Sequence, residues 1–216
     1  MKRGLMKSEL MKNELMKNEG YLKYTAEHRI APAIKAPFWA ELNEARTQLH
    51  KKGLVGVTSS GIGFGNLSIR YRENEFLISG TATGAIPVLG LDHYCIVSSF
   101  DLKENHVVSM GPIQASSESM THGAVYQSCP EANCVIHIHS RAVFDGMIRD
   151  NYVSTPEKAE YGSPEIALAI GECVKNSGKN EGHIVLSGHD EGVIAYGPSV
   201  ERAFNLILEL YHKYGG

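Results

Sequence analysis

A chain of 216 residues, 43% hydrophobic and 21% charged, is long and apolar enough to bury the core of one large globular domain. Its net charge of −3 gives no footprint for nucleic acid or an anionic membrane, and no apolar run approaches the length of a transmembrane helix. Four cysteines without a CxxC pair read as reduced thiols of a cytoplasmic protein.

The chain opens on a five-residue echo, Gly4-Leu-Met-Lys-Ser, Glu9-Leu-Met-Lys-Asn and Glu14-Leu-Met-Lys-Asn. On a helix that period turns each repeat by about 140°, so Leu5, Leu10 and Leu15 share no stripe. The segment is too charged for a signal peptide, and Met6, Met11 and Met16 are alternative starts. Residues 1–27 are therefore set aside as a frayed tail, and residues 28–216 form a single domain. Its first helix covers residues 38–49, with Pro37 at the first turn and Gly53 as the stop.

A stretch rich in Gly, Ser and Thr leads to residues 67–71, where Leu67, Ile69 and Tyr71 alternate with Ser68 and Arg70 as in a half-buried strand. Residues 76–79 supply its hairpin partner across the Glu73-Asn-Glu75 turn. The following loop, Gly80-Thr-Ala-Thr-Gly84, combines glycines with hydroxyls and is able to bring backbone N–H groups close to an anion. An ordinary Gly/Thr turn is the alternative. The loop has neither the Gly-Lys-Ser/Thr of a Walker motif nor the spaced glycines of a dinucleotide site. A helical turn at 89–92 and strands at 94–98 and 106–110 follow, with His93 and His106 in solvent or capping positions.

Ser116 or Ser117 caps the next helix, with Glu118 in its first turn. Glu118, His122 and Tyr126 share one face. This pattern fits a cap with a surface ion pair, and it also fits an anion site at a helix N-terminus. The Cys129-Pro-Glu-Ala-Asn133 break returns the chain to a strand at 134–139, on which His137 and His139 point to the same face. Two imidazoles on one strand make half of a metal site. A helix at 141–148, a polar loop at 151–161 and a helix at 163–174 opened by Ser163 and Pro164 come next. Strands at 183–187 and 193–197 and a helix from Ser199 to about Tyr214 complete the chain, the helix showing Phe204, Ile207, Leu208 and Tyr211 as its apolar face.

His183 and His189 compete as a third ligand; along one strand they stand roughly 20 Å apart, so one ion cannot take both. His189, at a strand end among glycines, is the better placed. Helices interleaved with hairpins predict a three-layer α/β/α domain around a mixed, mainly antiparallel sheet.

The succession Gly65-Asn-Leu-Ser68, Ser79-Gly-Thr-Ala-Thr-Gly84, Ser116-Ser-Glu118 with His122, His137-Ile-His139 and Gly188-His189 resembles the class II aldolase/adducin family. Within it the chain looks most like the zinc-dependent sugar-phosphate aldolases of the L-fuculose-1-phosphate type. The resemblance implies that Glu118 is the catalytic acid/base and that His137, His139 and His189 hold Zn2+, with Mn2+, Co2+ or Fe2+ as substitutes. It implies that Asn66, Thr83, Gly84, Ser116 and Ser117 surround the substrate phosphate, with Thr81 as the fallback for Thr83. The implied reaction is cleavage of a ketose 1-phosphate to dihydroxyacetone phosphate and an aldehyde, carried out by a ring-shaped homotetramer. Dehydration or 4-epimerisation of a sugar phosphate are the family's other reactions, and a non-catalytic adducin-like interaction module is the different class of answer. Three departures from the aldolase pattern stand out. Asp190-Glu191 separates His189 from the next glycine, and the loop after His139 is short; in those enzymes that region can supply a tyrosine to a neighbouring subunit's site, and the sequence leaves open whether Tyr152 or Tyr161 replaces it. The tail that closes over substrate in those enzymes has no counterpart before Gly216.

Overall fold

Turn-forming glycines, prolines and asparagines divide the chain into short elements, and the computed structural model describes them over residues 24–215. In chain order these are β1 (Thr25–Ile30), α1 (Trp39–Lys51), β2 (Gly56–Val57), β3 (Gly63–Phe64), β4 (Asn66–Arg72) and β5 (Glu75–Ser79). A 3-10 turn at Leu91–His93 precedes β6 (Tyr94–Asp101) and β7 (His106–Gly111). Then come α2 (Ser119–Ser128), β8 (Cys134–His139), α3 (Arg141–Arg149), α4 (Pro164–Ser177), β9 (Gly182–Val185), β10 (Gly192–Gly197) and α5 (Val200–Tyr214).

Eight strands form one sheet in the order β1-β7-β6-β5-β4-β8-β10-β9, while β2 and β3 make a separate small ribbon. Every neighbour pair in the large sheet is antiparallel except β1 with β7. The alternation of side chains feeds two cores. On one face Leu42 and Leu49 of α1, Val143 and Met147 of α3 and Ile207 and Leu210 of α5 pack over Leu67, Ile136 and Val193. On the other, Ala124 and Val125 of α2 and Ile166 and Ile170 of α4 pack over Ile78, Val135 and Ile194. Each fully buried Leu or Ile contributes about 1.5–3 kcal/mol. The result is the expected three-layer α/β/α arrangement, with a mixed, mainly antiparallel sheet. Ser163 caps α4 as the sequence predicts, by accepting from the N–H of Ile166, and Ser199, expected as the first residue of the last helix, instead caps α5 by accepting from the N–H of Arg202.

Four local expectations change. Thr25–Ile30 is a strand and the Tyr24 ring is buried, so the boundary at residue 28 is too late; residues 1–23 lie outside the described residues. The buried face of α5 is Ala203, Leu206, Ile207 and Leu210, while Phe204 and Tyr211 are only partly covered. Apolar residues occupy two adjacent stripes of that helix, and contact with the sheet selects between them. His183 lies on β9, but β9 ends at Val185, so the chain from there to His189 is a turn and not a continued strand.

The fourth concerns β4, which is not half-buried. Helices cover both of its faces, and Ser68 is fully enclosed. Its hydroxyl lies 2.7 Å from the Tyr126 hydroxyl and 2.6 Å from His122 Nδ1, both of α2. Arg70 of the same face donates to the carbonyls of Ala132, Tyr126 and Cys129. Substituting Ser68→Ala leaves two buried polar groups without their partner. A loss of about 1–3 kcal/mol is expected, read as a lower urea midpoint; an unchanged midpoint means the network adds no net stability.

Candidate active site

The site forms where β8 is flanked by β4 and β10. Asn66 of β4 stands opposite His137, and Gly192 of β10 stands opposite His139. His137 and His139 therefore emerge from the sheet on the α2 side, with Val135 beneath them as their spacing predicts. The turn after β9 brings in His189, whose N–H bonds to the Leu186 carbonyl at 2.8 Å. The three Nε2 atoms are mutually 3.1, 3.1 and 3.3 Å apart, and all three rings are buried. A tetrahedral ion with metal–nitrogen bonds of 2.0–2.1 Å sets its ligands about 3.3 Å apart. The triad fits such an ion, and these three residues form a cluster able to hold a metal.

Two details support that fit. Burial holds His137 well below the ordinary imidazole pKa, so the ring is neutral. Its Nδ1 lies 3.2 Å from the Val193 carbonyl, which requires the proton on Nδ1 and turns the Nε2 lone pair to the centre. A Cβ at Gly192 would sit 2.8 Å from His189 Cδ2 and 3.2 Å from His137 Cε1, so the glycine makes room for the cluster. The additional Asp190 and Glu191 are surface ties: Arg141 at the start of α3 pairs with Asp190 at 2.5 Å and Glu191 at 3.3 Å.

Glu118 borders this centre, 3% exposed, with Oε1 4.0 Å from His189 Nε2. It is the N-cap residue of α2 and does not lie in the first turn, since the helix starts one residue later than expected. The surface ion pair with His122 is not formed. His122 is wholly buried, and its Nε2 lies 2.7 Å from Asn66 Oδ1. A carbonyl oxygen only accepts, so His122 donates through Nε2 and accepts from Ser68 at Nδ1. This fixes Asn66 with its amide NH2 left for the cavity that it lines. The i,i+4 spacing from Glu118 singled out His122, but its actual partners come from β4, distant in sequence.

All five predicted anion-site residues, Asn66, Thr83, Gly84, Ser116 and Ser117, line one cavity of about 330 Å³ together with Glu118 and His137. Their contributions differ. The Thr83 hydroxyl donates to the Gly80 carbonyl at 2.9 Å, so its proton is used within the loop, whereas Thr81 also lines the cavity. Gly84 meets the β2–β3 ribbon so closely that a Cβ would lie 2.1 Å from the Gly56 carbonyl. Ser116 Oγ accepts from the Glu118 N–H at 3.3 Å.

Tyr161 belongs to this chain's own cavity. Its hydroxyl donates to Ser117 Oγ at 2.5 Å, and its ring stacks on His189 at 4.5 Å. Tyr152 is elsewhere, packed against His183 and Tyr214. The apolar contacts that draw the 151–163 loop inward, through Ala159 and Tyr161, carry no local signature in the sequence.

Burial lowers the His122 pKa to about 3 from an ordinary 6.5. Above pH 6.5 neither the folded nor the unfolded state protonates this ring. Below it the unfolded state does and the folded state does not, so stability falls with pH until about 3, by up to about 1.4 kcal/mol per unit. Metal-free His122→Gln should therefore lose about one proton's worth of that slope in urea titrations between pH 6 and 4. An identical slope would place the burden on other groups.

Among the described residues no helix is long and apolar enough to cross a membrane. No curated protein sequence matches the chain significantly. Solved structures do resemble it. An L-fuculose 1-phosphate aldolase is 20% identical, with a TM-score of 0.63 over 83% of this chain and 84% of that one. The L-fuculose-1-phosphate aldolase of Thermus thermophilus is 21% identical, with a TM-score of 0.58 over 81% and 89%. The sugar-phosphate aldolase of Thermotoga maritima is 19% identical, with a TM-score of 0.58 over 80% and 89%. At these identities the likeness concerns the fold. The profile named Class II Aldolase and Adducin N-terminal domain, however, matches residues 40–213, nearly the whole described chain, and the protein belongs to that family.

Proposed function

We propose that the protein is a metal-dependent aldehyde-lyase that cleaves a ketose 1-phosphate to dihydroxyacetone phosphate and an aldehyde. The observation that carries this is the placement of Glu118 4.0 Å from a buried triad of histidines, in a cavity whose other wall offers small hydroxyls and backbone amides. His137, His139 and His189 would hold the ion, Zn2+ by preference, with Mn2+, Co2+ or Fe2+ as alternatives. A divalent ion there supplies Lewis-acid polarisation of a substrate carbonyl.

The chain's own residues divide the remaining work. Ser116, Ser117, Asn66 and residues 83–84 grip the phosphate, and binding at that remote group fixes the orientation of the bond to be broken. The N-terminus of α2 adds its positive dipole end to the same wall. As the carbon–carbon bond breaks, the hydroxyl on the departing carbon gives up its proton to become the aldehyde and the carbon beside the carbonyl takes one up; Glu118 carries that proton to the dihydroxyacetone phosphate half. Tyr161, stacked on His189, shields the triad from water on one side. The active form is a homotetramer.

Metal analysis of the purified protein should find about one divalent ion per chain. A protein with no stoichiometric metal favours the interaction-module alternative. Incubation with a panel of ketose 1-phosphates should release dihydroxyacetone phosphate, measured by coupled reduction. Water loss or epimerisation without that product assigns the chain to another reaction of its family. Glu118→Gln should lower turnover by about 10²–10⁴-fold with the metal retained; near-normal turnover would remove Glu118 from the mechanism.

A further inference from the structure

The amides facing the anion side of the cavity are held from behind by two buried donors that do not line it. The first is Arg46 of α1, 1% exposed. Its guanidinium donates through Nη2 to the carbonyls of Thr83 at 3.0 Å and Gly84 at 3.4 Å, and through Nη1 to those of Pro87 at 2.9 Å and Ile86. All four acceptors are backbone carbonyls of one loop. In a trans peptide the C=O and the next N–H point in opposite directions. Fixing the Thr83 and Gly84 carbonyls toward Arg46 therefore turns the N–H groups of Gly84 and Ala85 the other way, and both residues line the cavity.

The opposite wall repeats the arrangement. Tyr24, buried beside β1, donates to the Ser116 carbonyl at 2.9 Å and approaches that of Ala115 at 3.3 Å. The Ser119 hydroxyl and N–H reach the same Ser116 carbonyl at 2.7 and 3.0 Å. With that oxygen saturated on the interior side, the Ser117 N–H is directed outward, where Ser117 lines the cavity. Among the described residues, the N–H groups of Gly84, Ala85 and Ser117 donate to no protein acceptor. Tyr24 also precedes residues 40–213, the span that matches the family.

We propose that Arg46 and Tyr24 are positioning residues that aim these three amides at the substrate phosphate; this rests on the cavity being a phosphate site. Neither touches the ligand. Arg46 acts through the planarity of its fork, which a lysine does not reproduce, and Tyr24 acts through one hydroxyl.

The test uses the full-length, zinc-loaded protein and inorganic phosphate, followed by calorimetric titration, with circular dichroism and zinc content as controls. Wild type should bind phosphate. Arg46→Lys should bind it about tenfold more weakly, although its charge is kept, and Tyr24→Phe about threefold more weakly. Zinc content should be unchanged in both, because the histidines lie on other elements. With a turned-over ketose phosphate, KM should rise by more than kcat falls. Folded variants with wild-type phosphate affinity would overturn the positioning role. A wild type that binds no phosphate would instead overturn the phosphate site. If Arg46→Lys does not fold, Tyr24→Phe decides, since it keeps the ring packing.

Discussion

Everything at this site depends on holding three buried imidazole nitrogens 3.1–3.3 Å apart. Such a cluster is costly by itself, because neutral nitrogens taken out of water need either a proton donor or an ion. A surface loop could not keep them together. The solution is to put two of the rings on β8, which has hydrogen-bonded neighbours on both sides, and to bring the third in on a tight turn tied to α3. The lack of a side chain at Gly192 then becomes a requirement of the site rather than of the sheet.

The two faces of the sheet have different tasks. The face under α1, α3 and α5 is packed with aliphatic side chains and supplies stability. The face under α2 and α4 is apolar around Phe76, Ile78 and Val97 but changes character beside β8, where Tyr126, Ser68, His122 and Asn66 form a linear chain of hydrogen bonds. Polar groups so deeply buried are tolerated because each has a partner. In return they give Asn66 one orientation.

The proposed phosphate wall carries no cationic side chain: among the described residues, none of those lining the cavity is Lys or Arg. Attraction for an anion must come from dipoles, namely hydroxyls, amides, the Asn66 amide and the N-terminus of α2. Dipoles act only when aimed, which gives the carbonyl-pinning donors behind the loops their importance. The one guanidinium close by, Arg46, is buried behind the wall, where it orients peptides and is shielded from solvent.

The sequence by itself determined the family and the layer architecture. His-x-His on a strand, Ser-Ser-Glu ahead of a helix and a Gly/Thr loop are local patterns whose placement follows from a two-residue or four-residue repeat, while the roles proposed for them rest on the family resemblance. Alternation in β8 placed Val135, His137 and His139 on one side, and Ser163 with Pro164 marked where α4 begins. Tertiary structure decided what those patterns could not express. Ser68 read as solvent-facing because alternation shows which residues share a face, not whether a second helix covers it. An ion pair of His122 with Glu118 was one of the two readings open to the sequence because only local neighbours are visible along a helix, whereas its ring meets Asn66 and Ser68 from a strand more than fifty residues earlier. The sequence did not choose between Tyr152 and Tyr161, because a loop's path depends on long-range packing. The same holds for Tyr24 and Arg46. Their partners are backbone carbonyls, and a carbonyl is the same in every residue, so no sequence pattern marks which one a distant donor will choose.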